Sequence, residues 1–200
     1  MDRFSAREYP ARFGVSMRRE AVIALAQVDY LFMIENVQGE SQVAFSTESQ
    51  VALQGQAVKN SKPIDVLSFS FTVSNAATIG SGTSGAGAGK AVFGSFQFSA
   101  HVSTASPLLF DACCQGVHFP SASLYFRKAG GKQEVYLRYD FALVFVTSIQ
   151  TKSIDGDPVP VEVVTLAYGG LVERYAAQTA TGTTSGAVQR GWSQVMNKKI

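Results

Sequence analysis

The chain has 200 residues, 46% of them hydrophobic, and a net charge of +2. That is enough apolar material for one packed domain, and too little charge for a whole-chain argument for nucleic acid or an anionic membrane. No apolar run approaches the roughly 20 residues of a membrane helix, and Gln27 and Asp29 interrupt the one stretch that resembles a signal core, so neither membrane insertion nor a Sec-type signal is expected.

Residues 1–28 read as a basic arm carrying Arg3, Arg7, Arg12, Arg18 and Arg19, with Pro10 and Gly14 breaking any early helix. Residues 29–200 read as the domain. Asp29 to Asn36 alternates, with Tyr30, Phe32 and Ile34 on one face and Leu31 and Met33 on the other, which predicts a strand. Gln42 to Gly55 reads as a loop. Ile64 to Ser74 predicts one strand with Leu67, Phe69, Phe71 and Val73 on its dry face. Ala91 to Val102 predicts another, with Val92, Phe96, Phe98 and Val102 together. Between them Ser74 to Lys90 reads as a glycine-rich loop, containing Gly80, Gly82, Gly85, Gly87 and Gly89.

Ser106 and Pro107 have the chemistry of a helix start, and Gly116 that of a stop. Leu108, Leu109, Ala112 and Cys113 form the apolar stripe expected to lie on the sheet. Ser121 to Lys128 and a strand from Gln133 onward flank a tight turn at Ala129-Gly130-Gly131. Val135, Leu137, Tyr139, Phe141, Leu143 and Phe145 share one face. The run Leu143, Val144, Phe145, Val146 is apolar on both faces, so it should be covered on both sides or lie in a subunit interface, for which it is the candidate. Asp155-Gly156-Asp157-Pro158 is a turn. Val161 to Tyr168 and Leu171 to Ala177 are strands separated by a bend at Gly169-Gly170. Ala187 to Trp192 is a last strand, and Asn197-Lys198-Lys199 a solvated end. Strands without βαβ alternation predict a mainly β fold, an antiparallel barrel or sandwich with one short flanking helix.

Candidate chemistry does not assemble. A phosphate loop ending at Gly89-Lys90 would need Gly where Ser84 stands and Ser or Thr where Ala91 stands, and a helix rather than a strand after it. His101 and His118 have no metal-ligand spacing with Cys113, Cys114 or carboxylates, and no Gly-x-Ser-x-Gly elbow occurs. No catalytic residue, cofactor or metal site is expected.

Several patches, in order, resemble the haemolysin-coregulated protein (Hcp) family, the tube protein of the type VI secretion system. They are Tyr30 to Glu35 with Val37-Gln38-Gly39-Glu40-Ser41, then Ile64 to Ser70, Gly85 to Lys90, Ala105 to Leu109, Arg127 to Lys132 with Glu134 to Leu137, and Gly191-Trp192. The chain departs from the family in its basic arm, in having phenylalanine at Phe69 or Phe71 where Trp is frequent, and in Ser193 where Asp is common. The resemblance implies a barrel subunit that forms homo-hexameric rings stacked into a tube. It implies a contractile sheath around the tube, a spike protein at its tip and effector cargo in its lumen. The protein would be cytoplasmic before firing and then secreted without a signal peptide. The loop from Gly80 to Lys90 would reach the next ring, and the Ser, Thr and Gln strand faces would line the lumen. The same fold also fits a phage-tail-like contractile particle, and a secreted effector is a third reading.

Overall fold

A computed structural model describes residues 28–78, 87–128, 133–177 and 186–200. The arm before Val28, Gly80, Gly82 and Gly85 of the glycine-rich segment, and the Ala129-Gly130-Gly131 turn lie outside the described residues.

The strands are β1 (Val28–Ile34), β2 (Ile64–Asp65), β3 (Ser68–Ser70), β4 (Val73–Thr78), β5 (Gly87–Phe93), β6 (Phe96–His101), β7 (His118–Lys128), β8 (Val135–Lys152), β9 (Val161–Tyr175), β10 (Val188–Ser193) and β11 (Lys198–Lys199). Every strand pairing is antiparallel. β1 pairs with β7, β7 with β8, β8 with β9, and the first half of β9 with β6. β6 pairs with β3, and β2 pairs with β1. Only Val66 and Leu67 separate β2 from β3. Their amides donate to Tyr30 O and Ser99 O, one on each side, so the sheet closes into a barrel. β10 and β11 extend the sheet from the second half of β9.

The barrel interior is aromatic. Phe32, Phe96, Phe98 and Phe141 are buried, with ring centroids 4.9 Å apart for Phe32–Phe98 and 4.8 Å for Phe96–Phe141. Helix α2 (Ala105–Gln115) joins this cluster through Ala105, Leu109 and Ala112. Gly116 ends the helix at φ 66°, a conformation that glycine adopts without a Cβ penalty. The start lies upstream of the expected Ser106 cap. Ser106 Oγ instead accepts the Ser103 amide, and Thr104 N donates to Glu40 Oε1. Leu108 faces solvent, because only one side of so short a helix meets the barrel.

Three sequence expectations are corrected. Gln42 to Gly55 is not an open loop. It carries a single turn of helix, α1 (Thr47–Gln50), and a 3-10 turn (Ala52–Gln54). As a strap it covers Leu31, Met33, Tyr125 and Val135 on the outer face of the barrel. Second, the long strands around the glycine-rich segment are broken. Val66 and Phe69 both point inward, as do Phe93 and Phe96, so alternation inverts at Leu67-Ser68 and at Gly94-Ser95. Leu67, Val73 and Val92 are consequently exposed rather than dry. The described residues of the span Ser74 to Lys90 are strand rather than loop, since β4 and β5 pair as a separate two-stranded ribbon.

Third, alternation inverts in β7, β8 and β9 on a common rung. Phe119 and Ala122 face inward on β7, Phe141 and Val144 on β8, Tyr168 and Leu171 on β9. Phe119 opposes Val144, which opposes Tyr168, while Ser121 opposes Ala142, which opposes Gly170. Pro120, Leu143 and Gly169 fall between those rungs. Pro120 has no N–H for the ladder, Leu143 takes φ 54°, and a Cβ on Gly169 would stand 3.1 Å from Leu143 Cβ. The apolar run therefore has an internal explanation. Val144 and Val146 are core residues, and only Leu143 and Phe145 look outward.

Candidate assembly surfaces

Three surfaces are candidates for assembly. The first is the ribbon. Among the described residues it makes no sheet pairing with the barrel, and its exposed residues include Val73, Ser74, Asn75, Ala76, Lys90 and Val92. Gly87 and Gly89 lie in β5; Gly87 pairs with Thr78, whereas Gly89 and the exposed Lys90 fall at the register shift between the Asn75↔Ala91 and Ala77↔Ala88 pairs.

The second is the outer face of β3, β6, β9 and β8. Cross-strand register places Ser70, Gln97, Thr165 and Ser148 on one rung and Ser68, Ser99, Val163 and Gln150 on the next. Ser68 Oγ and Ser99 Oγ are 2.7 Å apart, and Gln97 Nε2 donates to Thr165 Oγ1 at 3.3 Å. Neither rung holds an ionisable group. Four strands at about 4.8 Å spacing make a wall roughly 15 Å wide. Its surface is hydrated by hydroxyls and amides.

The third is an apolar ridge along the kink rung. Leu143 is 37% exposed and Val195 72%. Both stand over Gly169, whose missing Cβ leaves room for their side chains. Phe145 is half-buried and lies 5.3 Å from the His118 ring.

The strap side is fixed rather than available. Arg138 is 1% exposed, a buried cation. Its Nε donates to Asp140 Oδ1 at 2.5 Å, its Nη1 to Gln50 O, and its Nη2 to Gln56 O and Ser123 Oγ. The guanidinium also sits 4.7 Å from the Tyr125 ring centroid. Asp140 takes further bonds from Ser123 Oγ at 2.6 Å and Arg174 Nε at 2.7 Å. Arg127 pairs with Asp29 at 2.8 Å and donates to Ala44 O. Two buried arginines thus hold the strap by its carbonyls, the arrangement a buried charge requires. Burial pushes the Tyr125 phenol up to about 12, against the opposing pull of Arg138. Sequence reasoning missed this network, because Arg138 and Asp140 read as the wet face of a strand. The available signal was that Arg138 and Asp140 share that face two residues apart.

Among the described residues the histidines and the adjacent cysteines stand apart, on separate elements. His101 Nδ1 lies 3.7 Å from Asp157 Oδ2, and among the described residues no serine hydroxyl bonds His101. Asp157 also accepts the Val159 amide, as a turn residue does. His118 lies beside Phe145 on the outer face, the two rings tilted 37° to each other. Cys114 is exposed and Cys113 half-buried on α2. Among the described residues no group of His, Cys, Asp and Glu is arranged to hold a metal ion, and no helix is long and apolar enough to cross a membrane.

The comparisons with known proteins agree with this geometry. A family model described as "Type VI secretion system effector, Hcp" matches residues 31–175. The curated Protein hcp1 of Pseudomonas aeruginosa is 35% identical over 99 residues, 48% of this chain and 61% of that protein. The matched stretch therefore spans less than two thirds of that relative. A solved structure titled "Structure of a type six secretion system protein" superposes with a TM-score of 0.74 at 28% identity, covering 87% of this chain and all of the other. Hcp1 from Salmonella typhimurium gives a TM-score of 0.64 at 27% identity over 86% of this chain and 99% of that one.

Proposed function

The chain belongs to the Hcp family of type VI secretion system proteins, and from that premise we propose that it is a structural tube subunit: six copies form a ring, and rings stack into a tube. The carrying observation is the division of the surface. Among the described residues the barrel closes on itself and leaves no free edge between β1 and β6, which supports association through the ribbon, the β10–β11 extension and the outward ridge. The ridge at Leu143 and Phe145 packs against a neighbour within the ring. The ribbon and the glycine-rich sequence between its strands, with Gly80, Gly82, Gly85, Gly87, Gly89 and Lys90, form the contact to the next ring, where small residues permit close backbone approach. The charge-free wall of Ser68, Ser70, Gln97, Ser99 and Thr165 lines the lumen, wetting cargo without binding it tightly.

In this reading effector cargo travels inside the ring, a sheath surrounds the tube and a spike caps it. The protein leaves the cell with the tube, and its role is mechanical rather than catalytic. Negative-stain microscopy and native mass spectrometry of the purified protein test it. Rings of six copies are expected, whereas a monomer at high concentration with no rings overturns it. Deleting residues 80–87 should spare rings and impair stacking, and unchanged tube formation by that variant removes the ribbon assignment.

A further inference from the structure

The ribbon leaves the barrel through a joint with few fastenings. Alternation inverts at Gly94-Ser95, and the chain between β3 and β4 is reduced to Phe71 and Thr72. Phe71 and Phe93, both half-buried, point back into the barrel mouth. The Phe71 ring lies 5.2 Å from Tyr139 and 6.3 Å from Phe96, and the Phe93 ring 6.3 Å from Tyr168. On the barrel side of the ribbon ladder, the backbone bond across the joint is Gly94 N–H to Thr72 O at 2.8 Å. One residue further out, Val73 and Val92 are already 51% and 60% exposed. Beneath Phe93, Tyr168 is 6% exposed, and its hydroxyl meets no partner among the described residues.

We propose that this joint is a hinge with an aromatic clasp. In the docked position, Phe71 and Phe93 sit on Tyr139 and Tyr168. In the released position the two phenylalanine rings lift, the Gly94 N–H to Thr72 O bond at the ribbon base opens, and the Tyr168 hydroxyl reaches water.

Opposed effects narrow the free-energy gap between the two positions. Docking gains edge-to-face aromatic contact. It also leaves a buried hydroxyl unpaired, and such a group is worth more hydrated than dry. Release gives up the rings and hydrates the hydroxyl, without breaking any barrel ladder. The β4–β5 ladder is carried along as one body, a lever roughly 20 Å long from six residues at about 3.4 Å each. A small change at the clasp therefore becomes a large displacement at the ribbon's far end. The consequence for ring stacking, that the clasp sets where the ribbon meets its neighbour, rests on the tube reading. The hinge itself does not.

Hydrogen exchange on the full chain, read at the Gly94 amide and at barrel amides of the β6–β9 ladder, tests the proposal with two variants. Tyr168→Phe removes only the unpaired hydroxyl, so Gly94 should exchange about tenfold more slowly while barrel amides hold their ranking. Phe93→Ala removes half of the clasp, so Gly94 should exchange at least about tenfold faster with the barrel still protected. If Gly94 and the barrel amides move together in both variants, the ribbon is a rigid part of the barrel and the hinge is wrong. The hinge is equally wrong if Tyr168→Phe leaves Gly94 exchange unchanged or speeds it. Imaging the same preparations separates the two ideas, since absent rings would refute the tube reading and leave the exchange result standing.

Discussion

Replacing Arg138 with Met keeps the stem and removes the charge and every donor. Asp140 would keep Ser123 Oγ and Arg174 Nε, so its charge is not stranded. Gln50 O would keep the Tyr125 hydroxyl at 3.2 Å. Gln56 O loses its Arg138 partner, and the strap loses its attachment near Gly55, where the backbone lies so close that a Cβ would overlap the guanidinium. Removing one member of a buried pair costs about 3–5 kcal/mol, and the surviving partners of Asp140 place this case near 3. For a domain of this size each kcal/mol moves Tm by about 2–4 °C, so a fall of about 6–12 °C is expected. Calorimetry reads the fall, and hydrogen exchange should show faster opening in residues 43–58 than in the β8–β9 ladder. A loss below about 1 kcal/mol, the range of an exposed ion pair, would refute the view that Arg138 is the strap's fastening.

Other consequences can be measured independently. Phe32→Ala, at the centre of the aromatic core, should lose about 3–5 kcal/mol in denaturant unfolding. Gly39→Ala would drive a Cβ into Pro63 O, a backbone atom that cannot step aside, and should cost about 1–3 kcal/mol by the same assay. Burial raises the phenols of Tyr125 and Tyr168 from 10.0 to about 12. The unfolded chain ionises first, so stability is complete below pH 10 and is lost as pH rises toward 12, by at most about 2–3 kcal/mol for each phenol. Unfolding midpoints followed against pH, with phenolate absorbance in parallel, should show that window. Leu143→Asp places a charge on the ridge at a positive φ that Asp tolerates, so Tm should change little while ring assembly fails in native mass spectrometry.

The period-2 signal made most strands legible. Tyr30, Phe32 and Ile34 face the core as their spacing predicts, and Ala122, Leu124 and Phe126 do the same. Gly116 stops its helix and Gly156, at φ 85°, turns the chain, for reasons local to each residue. The inversions were not legible. Whether Leu67 or Val92 is dry depends on where the neighbouring strand bends, and that is a property of the assembled sheet. The run Leu143 to Val146 shows the difference plainly. Read alone it has apolar residues on both faces, but beside Pro120 and Gly169 it is a strand that changes sides. The strap was hidden for a related reason: Arg127 and Arg138 look solvated until the carbonyls of Ala44, Gln50 and Gln56 are brought to them from far along the chain.

The common kink of β7, β8 and β9 also bears on misfolding. In an ordinary strand a slip of two residues keeps every side chain on its proper face, so hydrophobic pattern alone opposes only odd slips. Here a two-residue slip of β8 would carry Leu143 away from Pro120 and Gly169. Its positive-φ bend would then oppose regular ladder, and Val144 would leave the core. Even slips are penalised as well as odd ones, so three residues on one rung act as an indexing notch for the longest strands of the barrel. In the proposed tube, where the outer surfaces of one subunit have to match those of its copies, that notch would fix the two faces relative to each other before any copy arrives.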